Sequence, residues 1–140
     1  MNKKASLNLM EQLIMVLVFA LCAAICLQCF ILSDHLSKEQ GVKAHSALIV
    51  QNAAEVLKSS SGDLSKATKI MGGYMEGYVW QIPYSESWEI VADGEAATYI
   101  MQAQILEDND VFLGTANIAL LHHGETVLSA SVSWQKGVLP

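Results

Sequence analysis

The sequence predicts an α+β fold in which one long N-terminal helix covers a small antiparallel β-meander. Three observations lead to this prediction. An uncharged run, residues 13–32, passes into a helical pattern without a turn, and the last third of the chain alternates polar and apolar residues. Apolar residues spaced three and four apart favour a helix, whereas a period of two favours strands.

The first element is a transmembrane helix within residues 7–32. Residues 13–32 contain no charge, proline or glycine, and twelve of the twenty are Leu, Ile, Val or Phe. As a helix this run would rise about 30 Å, the thickness of the hydrocarbon core of a bilayer. At roughly −0.3 to −0.6 kcal/mol for each large apolar residue, insertion is favoured by about 5 kcal/mol. We therefore expect membrane lipid to surround this helix.

The flanking charges predict the orientation of the helix in a cell membrane. Lys3 and Lys4 precede the helix, and Asp34 follows it. The positive-inside bias places the N-terminus in the cytoplasm and the C-terminal domain outside the membrane. A removable secretory signal would be cut near Ala24, but the apolar run continues eight residues further, longer than such a signal needs.

Residues 33–58 predict an amphipathic extension of the same helix, which would then run from about residue 8 to 58. Gly41 is the only weak position in this segment. The expected buried stripe has apolar residues at a spacing of three and four. Its members are Ala47, Val50, Ala54 and Leu57, widened by Ile49, Ala53 and Val56.

Residues 59–140 predict a globular β-rich domain that packs against this extension. Asp63 or Ser61 is expected to cap a short helix that ends at Met71, before Gly72. Its expected apolar face consists of Leu64, Ala67 and Ile70. Strands are expected at 78–82 (ending at Pro83), 87–91, 97–106, 112–122 and 125–134, with turns at 93–94, 107–110 and 123–124.

Composition excludes several classes of function. The part of the chain after Leu32 contains 13 Asp or Glu against 6 Lys, and the whole chain has no Arg. A basic surface for nucleic acid is therefore not expected. The sequence has no G-x-S-x-G elbow, phosphate-binding loop or dinucleotide fingerprint. We expect a protein that is not an enzyme and needs no cofactor.

Cysteine, histidine and tryptophan side chains are interpreted as structural. All three cysteines lie within 22–29 in the apolar run, where they are expected to act as small apolar residues. His122 and His123 are adjacent on a strand, so their rings are expected to point to opposite faces and not to share a metal ion. His45 is expected to be exposed. The three tryptophans, Trp80, Trp88 and Trp134, are expected in the core. The alternative is that they line a ligand groove.

The N-terminal segment resembles that of type IV pilins and of the pseudopilins of type II secretion and competence systems. A lysine-bearing leader, residues 1–6, precedes the sequence Leu-Asn-Leu-Met-Glu at 7–11. The resemblance implies that a prepilin peptidase cuts between Ser6 and Leu7, that the new amine of Leu7 is methylated, and that Glu11 directs assembly. Ser6 stands where the family almost always has glycine. Gln28 stands where major pilins often have a proline, which fits a minor pilin or pseudopilin better.

A physical argument supports the role of Glu11. A carboxylate costs about 2.5–3.5 kcal/mol at the bilayer centre and less near the surface. Cleavage after Ser6 would create an ammonium group on Leu7, and a neighbouring subunit staggered by about one helical turn would bring its amine to this carboxylate. Only one axial offset between neighbouring helices brings the carboxylate and the ammonium group together, so that both charges are neutralised. The simpler alternative is that Glu11 marks the interfacial end of an ordinary signal anchor.

Two functions of different classes are therefore expected. The favoured one is a pilin-like subunit that assembles with other pilin-like subunits and their machinery into a pilus or pseudopilus, such as a surface filament, for secretion, adhesion or DNA uptake. The alternative is a single-pass anchored extracytoplasmic domain that binds a ligand or a membrane partner and does not polymerise.

Overall fold

The computed structural model describes residues 2–92, 96–107 and 110–137. The chain divides into two compact units, residues 1–41 and residues 42–140. The boundary lies at Gly41, the weak position of the predicted helix, although the helix itself is continuous there. The elements are α1 (Asn2–Ser59), α2 (Leu64–Met71), β1 (Tyr74–Glu76), β2 (Val79–Tyr84), β3 (Tyr99–Leu106), β4 (Leu113–His122) and β5 (Glu125–Gln135).

A long N-terminal helix combined with a five-stranded antiparallel meander confirms the predicted α+β class and is a pilin-like architecture. The sheet order is β1-β2-β3-β4-β5, so every strand pairs with its neighbour in sequence. Helix α1 is longer than expected. It begins at Asn2 rather than near residue 8, so the described part of the leader is helical as well.

The second half of α1 packs on the sheet through a narrower stripe than the sequence predicts. Val50, Ala53 and Leu57 are buried as expected, and Leu57 has no exposed surface. Ala47 was predicted in this stripe but is exposed, and Ser46 is buried instead. The Ser46 hydroxyl donates to the carbonyl of Val42 at 2.6 Å, which removes the penalty for burying a polar group.

Helix α2 begins at the predicted cap. The Asp63 carboxylate accepts hydrogen bonds from the backbone N–H groups of Ser65 and Lys66, at 3.0 and 3.3 Å. Gly72, at φ 94°, ends the helix. Ala67 is fully buried, but Ile70, which was predicted on the same apolar face, is 64% exposed.

Strands β3, β4 and β5 confirm the alternation seen in the sequence. Alternate residues of each strand are apolar, point to one face and build the core together with Trp80 and Ile82 of β2 and the helix extension. The buried apolar side chains of β3 to β5 are Tyr99, Met101, Ala103, Ala116, Ile118, Leu120, Val132 and Trp134. The serines of β5 point outward, which agrees with the alternation of polar and apolar residues in the sequence. The expected turn at 93–94 and residues 108–109 of the next turn lie outside the described residues.

The predicted strand at 87–91 is wrong. The chain turns there: the backbone N–H of Trp88 donates to the Ser85 carbonyl at 3.0 Å, and Trp88 has a positive φ of 66°. Only an isolated bridge, between Tyr84 and Ile90, joins this segment to the sheet. Strand β2 also continues through Pro83 rather than ending before it. Strand β1 pairs with β2 only as far as Gln81. Pro83 lies beyond that pairing, so its missing N–H interrupts no hydrogen bond between β1 and β2.

Candidate functional site

The residues implied in processing and assembly lie close together on α1. Ser6, Leu7 and Glu11 are all exposed in the single chain, Leu7 with 65% of its surface. Glu11 lies four positions after Leu7, which corresponds to about 6 Å of axial rise and about 40° of rotation. Both therefore lie on one side of the helix.

The segment after Glu11 is long and apolar enough to span a membrane. Its most apolar window of 18 residues has a mean hydropathy of 2.8, and none of that window is buried inside the molecule. Residues 12–33 carry no charge. The next charged residue, Asp34, forms an exposed ion pair with Lys38 at 3.1 Å. Glu11 and Asp34 thus delimit the uncharged stretch.

Within the part of the chain that the structure describes, Glu11 forms no ion pair. Ion pairs such as Asp34 with Lys38 and Asp63 with Lys66 lie elsewhere in the molecule. A carboxylate beside an apolar span is neutralised either by a nearby cation or by taking up a proton.

The three cysteines share the helix side of Glu11. At about 100° per residue, Cys22, Cys26 and Cys29 lie about 20°, 60° and 0° from Glu11 around the axis. All three are free thiols and exposed in the single chain. No described group of three or more His, Cys, Asp or Glu residues is arranged to hold a metal ion.

A second constellation, in the unit of residues 42–140, is a column of five rings, of which four are stacked and the fifth is tilted against the last of them. The ring of His45 stacks on that of Trp88 with centroids 5.1 Å apart, and Trp88 stacks on Tyr99 at 4.2 Å. Tyr99 stacks in turn on His122 at 4.7 Å, and His122 lies 4.3 Å from His123. The column joins helix α1, the 85–88 turn, β3 and the end of β4.

This column changes the interpretation of the histidines. His45 is exposed as expected, but it is also the first ring of the column. The expectation that the rings of His122 and His123 point to opposite faces is wrong. His123 has φ 50°, so the chain has already left the strand and the two rings meet at an angle of 49°. Two rings alone do not make a metal site.

The stacking within the column stabilises the contacts between the elements that carry its rings. Stacked aromatic pairs contribute about 0.5–1.5 kcal/mol each beyond their burial. The left-handed conformation of Trp88 costs about 1–2 kcal/mol, and the stacks with His45 and Tyr99 offset that cost. No local pattern in the sequence signals this arrangement, because its members lie between positions 45 and 123.

The other two tryptophans are core residues, as predicted. Trp80 is fully buried and its indole N–H donates to the carbonyl of Gly72 at 2.9 Å. Trp134 is 8% exposed and lies so close to Gly62 and Gly114 that neither position has room for a Cβ atom. The ligand-groove alternative therefore fails for both side chains.

One end of the sheet carries an open pocket of about 530 Å³. Exposed apolar side chains surround it, among them Tyr78 with 88% and Leu106 with 46% of its surface exposed. The lining residues are Leu64, Tyr78, Gln104, Ile105, Leu106 and Glu107.

In contrast, Tyr84 lies in the core, where burial raises the pKa of its hydroxyl above the ordinary value of 10.0.

Comparison with known proteins gives no relative: no family model, no curated protein and no solved structure matches this chain.

Proposed function

We propose that the chain is a pilin-like subunit, either a minor pilin or a pseudopilin, and that it assembles through its N-terminal helix. A prepilin peptidase removes residues 1–6, the new amine of Leu7 is methylated, and Glu11 binds the ammonium group of a neighbouring subunit. The protein acts by assembly and not by catalysis, in secretion, adhesion or DNA uptake.

The observation that carries this proposal is the position of Glu11. It is the last charged residue before an uncharged stretch of 22 residues, it lies on the same side of the helix as Leu7, and no described cation of its own chain pairs with it. An ammonium group from a second chain would remove most of the cost of holding that carboxylate at the membrane. The pilin-like architecture supports the same conclusion.

In this proposal the membrane holds α1 with its N-terminus in the cytoplasm, because Lys3 and Lys4 precede the span and Asp34 follows it. The unit of residues 42–140 would then lie outside the membrane. Its partners are membrane lipid, the prepilin peptidase, other pilin-like subunits and their assembly machinery.

The experiment that tests processing is the intact mass of the membrane-extracted protein. With a prepilin peptidase co-expressed, we expect the mass to fall by that of residues 1–6 and to rise by one methyl group. Ser6→Gly, which restores the residue usual before the cut, should be processed at least as completely. An N-terminus that stays at Met1 in both chains would overturn the proposal.

The alternative function, an anchored domain that binds a ligand and does not polymerise, is favoured by the open pocket beside Tyr78 and Leu106. That function needs neither cleavage nor Glu11. An intact N-terminus, together with ligand binding that is lost in Tyr78→Ala, would support this alternative over assembly.

A further inference from the structure

The two outer strands of the sheet differ greatly in length. Strand β1 has three residues and β5 has eleven. Among the described residues, β4 is the only strand that pairs with β5, so the other side of β5 is free. Half of the backbone N–H and C=O groups of an outer strand point away from the sheet and form a template for a further strand.

From Leu128 to Gln135, the edge of β5 lacks the features that usually block such pairing. Proteins protect outer strands with charged side chains, with proline, with bulges or with short length. Residues 126–135 contain no charged residue and no proline. The one irregularity, opposite Leu120 and Leu121, lies near the hairpin turn, and it leaves Leu128–Gln135 in regular register.

The side chains along this edge also suit a further strand. On the outer face, Ser129, Ser131 and Ser133 are small, exposed and uncharged. On the inner face, Leu128 and Ala130 are only half-buried, although Val132 on the same face is buried. A strand added to β5 would cover the exposed part of these two apolar side chains.

The occupant we infer is a second copy of this chain. We propose that two β5 strands pair antiparallel across a two-fold axis near Ser131 and join two meanders into one ten-stranded sheet. Antiparallel self-pairing sets serine against serine on the outer face and apolar residues against apolar residues on the inner face.

Charge supports self-pairing over pairing with an unrelated strand. Glu125 begins β5, and Lys136 directly follows its end. Antiparallel pairing centred on Ser131 brings the Lys136 end of one copy to the Glu125 end of the other, and the Lys136 ammonium also donates to the Asp110 carbonyl of its own chain at 2.9 Å. The opposite charges at the two ends of each strand thus meet twice, whereas a parallel arrangement would set like charges side by side.

This contact is separate from the helix contact of the proposed function, so the two can fail independently. The direct test uses the full chain in detergent micelles or lipid nanodiscs, with all three native cysteines replaced by alanine. Ser131→Cys is treated with a short bis-maleimide linker. The matched control is Asn117→Cys, which is exposed on the same sheet face but lies on β4, an interior strand.

We expect a covalent dimer from Ser131→Cys that is at least about tenfold more abundant than that from Asn117→Cys. Equal yields from the two positions, or linkage of Ser131→Cys only to other proteins, would overturn the proposal. The same yields are expected with Glu11→Gln added, and loss of the dimer in that variant would assign the contact to the helix instead.

A second measurement uses the molar mass of the otherwise native chain across a range of concentrations. Ser131→Lys places two lysines near the two-fold axis, and we expect it to weaken dimer formation by about tenfold or more. Asn117→Lys should leave the dimer intact. Far-ultraviolet circular dichroism checks that both variants fold. A native chain that is monomeric at every concentration would contradict self-pairing.

Discussion

Replacing Leu57 by alanine tests whether the extension of α1 belongs to the core of the domain. Leu57 has no exposed surface and is packed among the buried residues of the sheet. Truncation of a fully buried leucine costs about 2.7–5.0 kcal/mol, the spread reflecting how far the cavity collapses. At about 4–8 °C per kcal/mol for a domain of this size, a loss of about 3 kcal/mol lowers Tm by roughly 12–24 °C.

The matched control is Leu48→Ala on the same helix, where the side chain is 56% exposed. Exposed substitutions usually change stability by about 0.5 kcal/mol or less. The assay is thermal unfolding of the full chain in detergent, followed by the fluorescence of the buried indoles of Trp80 and Trp134. If both variants shift Tm equally, or if neither shifts it, the extension does not pack on the sheet as described.

Two further predictions concern the core. Gly114→Ala would place a Cβ atom 2.5 Å from the Trp134 ring, and we expect it to lower stability by about 1–3 kcal/mol in thermal unfolding, whereas Gly41→Ala, with nothing within 4 Å, should be neutral or stabilising. The raised pKa of Tyr84 means that the folded state holds this proton more tightly than the unfolded state, so stability is full below about pH 10 and falls as the pH rises through the folded pKa. Tyr84→Phe should reduce this alkaline fall in urea titrations at several pH values, and the same exchange at the exposed Tyr78 should not.

The sequence predicts those elements in which local pattern and tertiary environment agree. Strands β3 to β5 alternate because one face of the sheet is covered, and this produces a period of two. The extension of α1 is also predicted because one of its sides is covered, although Ser46 rather than Ala47 is the residue buried there. A hydrophobic pattern cannot identify a buried serine whose hydroxyl bonds to its own helix.

The misassigned segment 87–91 and the ring column have a common cause. Glu89, Ile90 and Val91 follow Trp88 in a sequence that looks suited to a strand. Trp88 instead adopts a left-handed conformation, and its ring enters the stack between His45 and Tyr99. Contacts between residues so far apart along the chain override local propensity. The pattern within a short segment of sequence therefore indicates neither the turn nor the column.

The geometry of Leu7, Glu11 and the cysteines makes the central claim measurable. If the amine of Leu7 in one chain lies level with Glu11 of its neighbour, the two helices are offset by four residues, or about 6 Å. Cys22 of the first chain is then level with Cys26 of the second. The two copies of Cys22, or of Cys26, are then separated along the helix axis by the full offset of about 6 Å.

Disulfide formation between two co-expressed chains, one retaining only Cys22 and the other only Cys26, is therefore the most direct test of assembly through Glu11. In membranes that contain the prepilin peptidase and the assembly machinery, mixed dimers should exceed both like dimers. Glu11→Gln should abolish that excess, and Glu55→Gln, on the exposed side of the same helix, should preserve it. Mixed and like dimers in equal yield, or an excess that survives Glu11→Gln, would contradict assembly through this charge pair.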